Sequence, residues 1–480
     1  MDRTGGLECW MIRQGFLPGE VNQGINTEWL QDTLTAIGQL STDEHSMTET
    51  EWIDALQQTA QMFNYDPRVP GKETLIHPKF GELPLIKIDP YIRGIVRWLN
   101  MLGIYTIISC DGEGRGRAYV GLLEELTAQQ VNIIRACTPD AVRVRFRNKE
   151  VAFFYPRGKQ EELLTIAERL YEVWKNPARL FAYRLEKLKK RLINVLSVNG
   201  SSGRERNIRR KLYGMLKGMV DWLEIDAYGN LLGQVNCGEG PVVLLSAHMD
   251  TVQPFPSGRA IQEDGHILRS TSGILGADDR TGVAIVLEML ESIRHSKFQG
   301  TLKVAFTVEE EIGCRGARNI ERTFLEDVDA AIVLDRKGNR DIVIAYGDTF
   351  PFCHEEYGTI FQRAGALLGM ADWRLVAGGS SDARVFAEQG IPTVNLSVGY
   401  YNPHTDDEML DCRAALQTVL LLEKVLNEQF ICGEVLTSSR RLLKKGKALR
   451  NCKAEGKLCS FHARAGVGIQ YVADSAKIQA

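Results

Sequence analysis

The stretch VVLLSAHMD, residues 242–250, decides the fold predicted for this chain. Val242 to Leu245 form an apolar run without polar alternation, which is typical of a strand buried on both faces of a parallel sheet. The run then presents His248 and Asp250, two positions apart. Side chains with this spacing point the same way on an extended chain, and a carboxylate beside a metal-binding His fixes its tautomer. The strand end is therefore a candidate metal site, although two polar residues there can also simply begin a loop.

Composition limits the classes of protein to consider. The chain has 480 residues, 44% of them hydrophobic and 25% charged, and a net charge of −3. These values are typical of two or three globular domains and indicate no nucleic-acid or acidic-membrane partner. No apolar run approaches the roughly 20 residues that span a bilayer, and the N-terminus lacks the apolar core of a secretion signal. Ten scattered cysteines favour reduced thiols, so we expect a cytoplasmic protein.

Downstream of the first strand, apolar strands alternate with helices. The sequence predicts a helix over Thr281–Ile293 and strands over Thr301–Thr307, Ala330–Leu334 and Thr393–Val398. This order predicts an α/β domain over residues 185–435, a doubly wound, mostly parallel sheet with helices on both faces. Such sheets bind ligands at the carboxyl ends of their strands.

The N-terminal region, residues 1–184, has a different pattern. Short strands and helices mix over about residues 72–176, with a strand at Leu85–Ile88 and a strand pair at Ala141–Phe146 and Val151–Tyr155. They predict a small α+β domain, whose function the sequence does not indicate.

The C-terminal residues 436–480 are rich in Lys and Arg. We expect a basic, solvated tail whose composition permits disorder, with binding to an anionic partner as the alternative.

Four further polar clusters follow predicted strand ends. They are Gly276–Gly282 (GADDRTG), the triplet Glu309–Glu311, Asp335 and His404. Each cluster alone is typical of a helix cap or a solvated turn. Together with His248 they supply two His and several carboxylates at the edge of one sheet. Such ligands suit zinc or a similar divalent ion, and a bridging carboxylate lets two ions sit roughly 3.5–4 Å apart.

The motifs resemble those of the co-catalytic zinc exopeptidases, which include peptidase T, the glutamyl and leucyl aminopeptidases and related carboxypeptidases and deacylases. The resemblance covers about Leu185 to Leu426 and does not extend to the N-terminal region. It rests on SGRE (202–205), DAYGN (226–230), SAHMDTV (246–252), GADDRTG (276–282), FTVEEEIG (306–313) and GGSSDARVF (378–386).

The resemblance implies a ligand set for two divalent metal ions. His248 and Asp335 would bind the first ion, Glu311 and His404 the second, and Asp278 would bridge both. Zinc is the expected metal, with cobalt or manganese as alternatives, because His and carboxylate ligands accept all three.

The resemblance also implies catalytic roles. Glu310 would be the general base that takes a proton from water and passes it to the leaving amine, and Asp250 would orient His248. Asp279 is expected to cap the following helix, and Glu309 stands where the family commonly has an Asp.

The spacing between motifs predicts a catalytic domain without a lid. Many family members insert a lid or dimerisation domain between the first Asp and the bridging Asp, or between the later Asp and the last His. Here Asp250 and Asp278 are 28 positions apart, and Asp335 and His404 are 69 apart. Neither interval holds a further domain of ordinary size. An N-terminal domain that covers the active site in place of a lid is therefore a hypothesis to be tested against the structure.

Two further residues allow more than one interpretation. His354, with the loop 378–382, would hold a substrate carboxylate or an oxyanion; alternatively, it lies at a helix start beside Glu355 and Glu356. Arg384 would pair with a substrate carboxylate or with Asp382.

These patterns predict a metal-dependent hydrolase of short peptides, with an aminopeptidase as the first choice. An N-acyl amino acid deacylase or a carboxypeptidase on the same scaffold is the nearest alternative, since both use the same machinery. An inactive, peptidase-like binding protein is a further alternative, but every ligand position and the base position hold competent residues. A role in targeting or assembly, through the N-terminal domain, also stays open. Short peptides or N-acyl amino acids are the expected substrates, and the sequence leaves the oligomeric state open.

Overall fold

The computed structural model describes residues 3–17, 28–33, 35, 49–62 and 85–454. One hydrophobic core joins described residues from Trp10 to Val173, and a second begins at Leu188. Within these residues no helix has the length and apolar character needed to cross a membrane.

The N-terminal part contains a four-stranded antiparallel sheet in the order β1-β2-β4-β3. Its predicted strand pair forms at β3 and β4, one residue or two away from the predicted bounds. The elements are α1 (Arg3–Arg13), α2 (Glu49–Met62), α3 (Arg93–Met101), β1 (Thr106–Cys110), β2 (Arg117–Leu122), α4 (Ala128–Cys137), β3 (Arg143–Arg147), β4 (Glu150–Phe154) and α5 (Glu162–Lys175).

The strand predicted at Leu85–Ile88 is wrong. Leu85–Lys87 instead form a short 3-10 helix, and Leu85 and Ile86 are buried in the N-terminal core. A four-residue apolar run carries no periodicity that separates a strand from a helix, so tertiary packing decided its conformation.

The second part contains the predicted α/β domain, with a mostly parallel central sheet. The strand order is β13-β12-β15-β11-β7-β10-β6-β5, with β14 also paired to β12. The elements are α6 (Ala178–Leu196), α7 (Arg206–Leu216), β5 (Trp222–Ile225), β6 (Leu231–Asn236), β7 (Val242–His248), β8 (Ile261–Asp264), β9 (Ile267–Ser270), α8 (Ala277–Ser292), β10 (Thr301–Thr307), α9 (Arg315–Arg318), α10 (Arg322–Leu325), β11 (Ala330–Arg336), β12 (Asp341–Tyr346), β13 (Phe350–Pro351), α11 (Glu355–Leu367), β14 (Arg374–Gly378), α12 (Asp382–Gln389), β15 (Thr393–Ser397), β16 (Tyr400–Tyr401), β17 (Met409–Asp411), α13 (Cys412–Asn427) and α14 (Gly433–Ala454).

Strand β7 lies at the centre of this sheet, as its apolar run predicts. Its neighbours β10 and β11 both run parallel to it. Val243 and Leu245 pack into the core on one face of the sheet and Leu244 into the core on the other. Two-sided burial explains the absence of polar alternation, and it confirms the doubly wound fold with helices on both faces. His248, at the carboxyl end of β7, is paired in register with Thr307 of β10.

Helix α8 begins at the GADDRTG motif and is buried along almost its whole length. Asp278 and Asp279 have non-helical backbone angles, and the peptide bond between them is cis. The regular helix therefore begins close to Thr281, where the sequence predicts it. The apolar residues that follow pack against β7 and β11, which places the motif beside the end of β7.

The two intervals that hold a lid in many proteins of the family that the motifs resemble hold none here. Residues 251–276 contain only the hairpin β8–β9, which joins β16 and β17 in a small antiparallel sheet. Residues 336–403 supply strands and helices of the α/β domain itself. The predicted absence of a lid is confirmed.

The predicted C-terminal tail differs from the observed structure. Helix α14 continues from Gly433 to Ala454, well past the predicted start of the tail at residue 436. Leu436 and Leu443 are buried in the cores on the two faces of the central sheet, and these contacts stabilise the helix despite its basic surface. Residues 455–480 of the tail lie outside the described residues.

Candidate active site

The side chain of His248 is 1% exposed and lies among three carboxylates. Its Nε2 atom is 3.1 Å from Oδ1 of Asp278 and 3.6 Å from Oδ1 of Asp335. Its Nδ1 atom is 3.3 Å from Oδ1 of Asp250. Burial opposes a charge on the ring, but hydrogen bonds to these carboxylates raise the pKa of His248 well above its usual value. His248, Asp278 and Asp335 thus form one group of candidate ligands.

Asp250 is fully buried and ties this group to the acidic triplet. Its carboxylate accepts a hydrogen bond from Ser202 Oγ (2.7 Å) and from the backbone N–H groups of Glu310 (3.1 Å) and Glu311 (3.3 Å). These donors, with His248 on the other side, hold the pKa of Asp250 below its usual value although burial raises it. A carboxylate fixed in this way lies where it can orient the imidazole of His248, which is the role expected of Asp250.

A second group of candidate ligands forms around His404. Its Nε2 atom lies 3.0 Å from the Glu311 carboxylate and 3.2 Å from Oδ2 of Asp278. Hydrogen bonds to these two carboxylates raise the pKa of His404 to about 10. Asp278 directs Oδ1 toward His248 and Oδ2 toward His404, so it lies between the two groups, as a bridging ligand must.

Glu310 lies beside the first group. Its Oε2 atom is 4.0 Å from Nε2 of His248, and its Oε1 atom accepts a hydrogen bond from Cys314 Sγ at 3.2 Å. Burial, reinforced by the charge of Asp335, raises the pKa of Glu310 to about 9. Burial and the charge of Asp278 likewise raise the pKa of Asp335 to about 7.

These residues fit a pair of divalent metal ions. Ligand atoms of His248, Asp278 and Glu311 lie within 4.8 Å of one another, and so do those of His248, Glu310 and Asp335. Buried carboxylates outnumber the two imidazoles, and the raised pKa values show that their charges lack compensation. A divalent cation supplies that compensation, and a mixed His and carboxylate donor set is one that zinc accepts.

The two groups open into a cavity of about 520 Å³. Arg336 and Lys337 contribute basic side chains to its wall, and Arg336 is paired with Asp341 at 3.2 Å. No described residue of the N-terminal domain lines this cavity, because that domain packs against the opposite end of α8. The described part of the N-terminal domain therefore does not shade the active site. The cavity is lined by the candidate site residues and by part of the loop after β14. They are Asp278, Glu310, Glu311, Asp335, Tyr400 and His404, together with Gly379, Ser380 and Ser381.

Three candidates lie outside this cavity. His354 caps helix α11, where its Nδ1 accepts a hydrogen bond from the backbone of Glu356, which fits the structural interpretation. Glu309 accepts a hydrogen bond from the Tyr228 hydroxyl at 2.8 Å. Arg384 pairs with Glu388 within its own helix.

The sequence did not point to several residues that support the site. The Tyr400 hydroxyl donates to Oδ1 of Asp335 at 3.1 Å. The buried carboxylate of Glu408 accepts hydrogen bonds from the backbone N–H groups of Gly276 (2.7 Å) and Asp278 (3.0 Å), which holds the backbone of Asp278 in place. Both lie near the predicted His404, in GYYNPHTDDE, but a Tyr and an acidic residue in a loop carry no specific signal.

Asp382 and Cys314 lie behind the candidate base. Asp382 is 1% exposed and accepts a hydrogen bond from Thr307 Oγ1 at 2.6 Å, while its Oδ1 atom has no hydrogen-bond partner. Ligand atoms of Asp382, Cys314 and Glu310 lie within 4.8 Å of one another. Asp382 belongs to the motif GGSSDARVF, but the spacing of this motif along the chain did not indicate that Asp382 lies behind Glu310.

Comparison with known families agrees with this geometry. The model of the M42 glutamyl aminopeptidase family matches residues 272–421, which include Asp278, Glu310, Glu311, Asp335 and His404. Over this part of the chain, the match agrees with the resemblance to the co-catalytic zinc exopeptidases that the motifs carry.

Similarity to individual proteins is more limited. The chain is 32% identical over 84 residues to the uncharacterised protein YqjE of Bacillus subtilis and 36% identical over 101 residues to a peptidase T-like protein of Yersinia pestis. These alignments cover 17% and 21% of this chain, and 23% of the length of each relative.

Solved structures are similar to about half of this chain at low sequence identity. Aminopeptidase PepT from Bacillus cereus is 20% identical, with a TM-score of 0.47, over 51% of this chain and 98% of that chain. An aminopeptidase from the archaeon Desulfurococcus kamchatkensis is 18% identical, with a TM-score of 0.46, over 53% and 98%. Similarity at this level does not transfer an activity.

Proposed function

We propose that this chain is a metal-dependent aminopeptidase that hydrolyses short peptides. The observation that carries the proposal is the position of Asp278 between two groups of ligands, each containing one His, with Glu310 in the same cavity. Leaving Cys452 aside, the structure describes eight cysteines, and none of these eight forms a disulfide bond. This fits a reducing cytoplasm, which is where we place the activity.

We assign His248, Asp278 and Asp335 to one divalent ion and Asp278, Glu311 and His404 to a second. Zinc is the metal that we propose for both, because its preferred donors are the imidazole and carboxylate groups present here. Bound at these residues, the ions would lower the pKa of a water molecule and polarise the scissile carbonyl group.

Glu310 is the proposed general base. Its carboxylate lies in the cavity beside His248 but is not required in either ligand group. The charge of bound cations would lower its raised pKa, and the carboxylate would then accept a proton from water and deliver it to the leaving amine. The hydrogen bond between the Glu310 backbone and Asp250 fixes the base and the orienting carboxylate relative to each other. Asp250 therefore positions both His248 and Glu310 without touching the substrate.

The cavity wall favours short substrates with a free carboxylate. Lys337 is exposed at the cavity, and none of the described acidic side chains pairs with it, so its ammonium group can bind the C-terminal carboxylate of a di- or tripeptide. The same group also fits the substrate of a carboxypeptidase or an N-acyl amino acid deacylase, which is the second candidate function.

The two adjacent acids Glu310 and Glu309 offer a matched test of the base. In Glu310→Gln we expect hydrolysis of free-amine peptides to fall by roughly 10²–10⁴-fold, with metal content unchanged at about two ions per chain. In Glu309→Gln, whose carboxylate binds Tyr228 outside the cavity, we expect activity within a few-fold of the original protein. Equal losses in the two variants would contradict the assignment of the base.

Substrate panels distinguish the remaining functions. Cleavage of free-amine di- and tripeptides, with weak cleavage of their C-terminal amides, would support the aminopeptidase and the role of Lys337. Cleavage of N-acyl amino acids alone would move the assignment to a deacylase. Metal binding without turnover of any peptide or N-acyl substrate would instead indicate a binding protein.

A further inference from the structure

The largest cavity among those described lies between the two domains and far from the candidate active site. Its volume is about 630 Å³, within the usual range for a small-molecule site. The N-terminal domain supplies one wall from α4 and β3, and the α/β domain supplies the other from α6 and α8. Asp278 and Glu291, at the two ends of α8, are 13 residues apart, which corresponds to roughly 20 Å along a helix.

Basic side chains dominate the described residues that line this cavity. Arg135 and Arg143 belong to the N-terminal wall, and Arg184, Lys187, Lys190, Arg191 and Arg294 belong to the opposite wall. The acidic lining residues are Asp140, Glu288 and Glu291. The lining therefore carries seven basic and three acidic groups.

Some of this positive charge is compensated from behind the wall. Glu423 accepts two hydrogen bonds from Arg184, at 2.8 and 2.9 Å, and Asp221 pairs with Arg294 at 2.7 Å. Lys190 also contacts Glu186, which does not line the cavity. Within the cavity, Asp140 is shared by Lys187 and Lys190, and Glu288 and Glu291 are shared by Arg135 and Arg191. The basic lining groups therefore still outnumber the acids that they contact.

Two basic groups of the N-terminal wall keep unused hydrogen-bond donors, whereas Nε of Arg191 lies 3.2 Å from Oε2 of Glu288. Nη1 of Arg135 is buried and has no hydrogen-bond partner. Arg143 has no acidic partner among the described residues and lies over the ring of Phe154. Unsatisfied buried donors are costly, so an acceptor that enters the cavity gains the hydrogen bonds that the protein leaves unmade.

The local field is positive at the floor of the cavity. Glu288 is 8% exposed, and its burial favours the neutral acid. The charges of Arg191, Arg135 and Arg184 nevertheless lower its pKa below the usual value. An anion placed here experiences the same attraction.

One part of the lining is apolar. Val144 and Phe146 of β3 line the cavity, and so do Met215 and Met219 of the α/β domain. An aromatic ring and two flexible thioether side chains suit a flat, apolar ligand group.

From these features we propose that the interdomain cavity binds a small organic anion, which carries phosphate or carboxylate groups against the arginines and an apolar or aromatic part against Phe146. Arg guanidinium groups match the geometry of both anions, so the donors alone do not separate phosphate from carboxylate. Because both walls supply donors, the bound anion links the two domains and stabilises the folded chain.

Strand β3 provides a matched pair of variants. Arg143 and Arg145 are both exposed and both lie over the Phe154 ring, at 4.9 and 5.5 Å, but only Arg143 lines the cavity. Arg143→Glu and Arg145→Glu therefore make the same charge change on the same strand. Lys187→Gln removes one positive charge from the opposite wall and tests whether both domains contribute.

The experiment measures binding to the full chain by calorimetry and by the shift in melting temperature. The probes are ATP, tripolyphosphate, citrate and adenosine. We expect ATP to bind more tightly than tripolyphosphate, no binding of adenosine, and a melting temperature that rises with ligand concentration. Arg143→Glu should weaken ATP binding by more than about tenfold and Arg145→Glu by less than about twofold.

Every other result of these binding measurements either supports or overturns the proposal. Citrate binding above that of the phosphates, lost in Arg143→Glu, would support the site with a carboxylate ligand. Absence of binding for all three anions at millimolar concentration would overturn it. Equal losses in Arg143→Glu and Arg145→Glu would overturn the location, and unchanged binding in Lys187→Gln would refute the contribution of both walls. Because every readout is binding or stability, these outcomes do not depend on the proposed peptidase activity.

Discussion

The first turn of helix α8 faces buried carboxylates, whereas its last turns face buried guanidinium groups. At the first turn, Asp278, Glu310 and Asp335 are opposed only by the two imidazoles, and the pKa values of Glu310 and Asp335 are raised. At the last turns, Glu288 is opposed by arginines from both domains, and its pKa is lowered.

The difference lies in whether the chain compensates its own charge. The basic groups at the end of α8 bind acids of the same protein. The pairs that Arg135 makes with Glu288 and Glu291, and that Lys187 makes with Asp140, join the two domains. The carboxylates at the start of α8 have no basic side chain within their groups and need an external cation. Similar burial therefore yields a candidate metal site at one end and an interdomain contact at the other.

The largest expected effect is at the acidic end. In Asp278→Asn the shared charge is lost from both ligand groups, so we expect metal content to fall from about two ions per chain to one or none. Peptide hydrolysis should fall by more than about 100-fold and should not recover when zinc, cobalt or manganese is added. Elemental analysis and rate measurements on the same samples check this. Full metal content in the variant would show that Asp278 is not the bridging ligand.

At the basic end, the largest effect should come from the Arg184–Glu423 pair. Both side chains are largely buried, and Asn132 of the N-terminal domain also donates to Glu423 at 2.8 Å. Glu423→Gln leaves Arg184 buried without its counter-charge, so we expect the free energy of unfolding to drop by about 3–5 kcal/mol. Denaturant titration measures it.

The control for this change replaces both partners. The double variant Arg184→Met with Glu423→Leu should be close to neutral, because no uncompensated charge remains. If the double variant is as unstable as the single one, the pair contributes packing that the charges do not explain.

The two ends should also differ in how pH affects stability. In metal-free protein the pKa of Asp335 is about 7, so between about pH 4 and 7 the folded state holds a proton that the unfolded state has released. The contribution of Asp335 to the free energy of unfolding therefore falls as pH rises through this range. Glu288, with its lowered pKa, behaves oppositely, and its contribution is lost as pH falls through the folded pKa.

Asp335→Asn and Glu288→Gln separate these contributions. In metal-free protein, Asp335→Asn should flatten the decline between pH 4 and 7, by an amount on the order of 1–3 kcal/mol. Glu288→Gln should instead flatten the loss of stability in acid. Unfolding free energies measured across this pH range, in the presence of a chelator, test both slopes. Slopes of the same sign for the two residues would contradict the comparison.

The smallest effect should come from the rim of the interdomain cavity. Lys190 is about half exposed and contacts Asp140 and Glu186. Solvent screens such pairs, so Lys190→Ala should lower the free energy of unfolding by only about 0.2–1 kcal/mol, and less at high salt. A loss comparable to that of Glu423→Gln would show that the rim is as important as the buried pair.

Much of the α/β domain could be predicted from the sequence. The apolar run at β7 identified a central strand, and strand β10 has the predicted bounds. The motifs also named seven site residues, and the structure brings all of them together at one sheet edge. Their roles as ligands and base stay predictions until they are measured. Strong local patterns were sufficient here because a two-sided buried strand admits few alternatives.

Other features could not be predicted. The Leu85–Ile88 run is too short for its periodicity to distinguish a helix from a strand. The basic composition of residues 436–454 concealed the apolar contacts of Leu436 and Leu443. Tyr400 and Glu408 support Asp335 and Asp278 from loops distant in sequence, and no local pattern marks such pairings.

The sequence by itself determined the α/β fold, the resemblance to the co-catalytic zinc exopeptidases and the identity of the residues that gather at the strand ends, because these follow from local hydrophobic patterns and motif order. Only the tertiary structure decided that Asp278 lies between His248 and His404, and that the N-terminal domain packs at the far end of α8. Long-range packing brings these groups together across up to 291 residues, as between Asn132 and Glu423. Burial then removes the solvent that would otherwise screen their charges, so their arrangement in space sets the chemistry of each end.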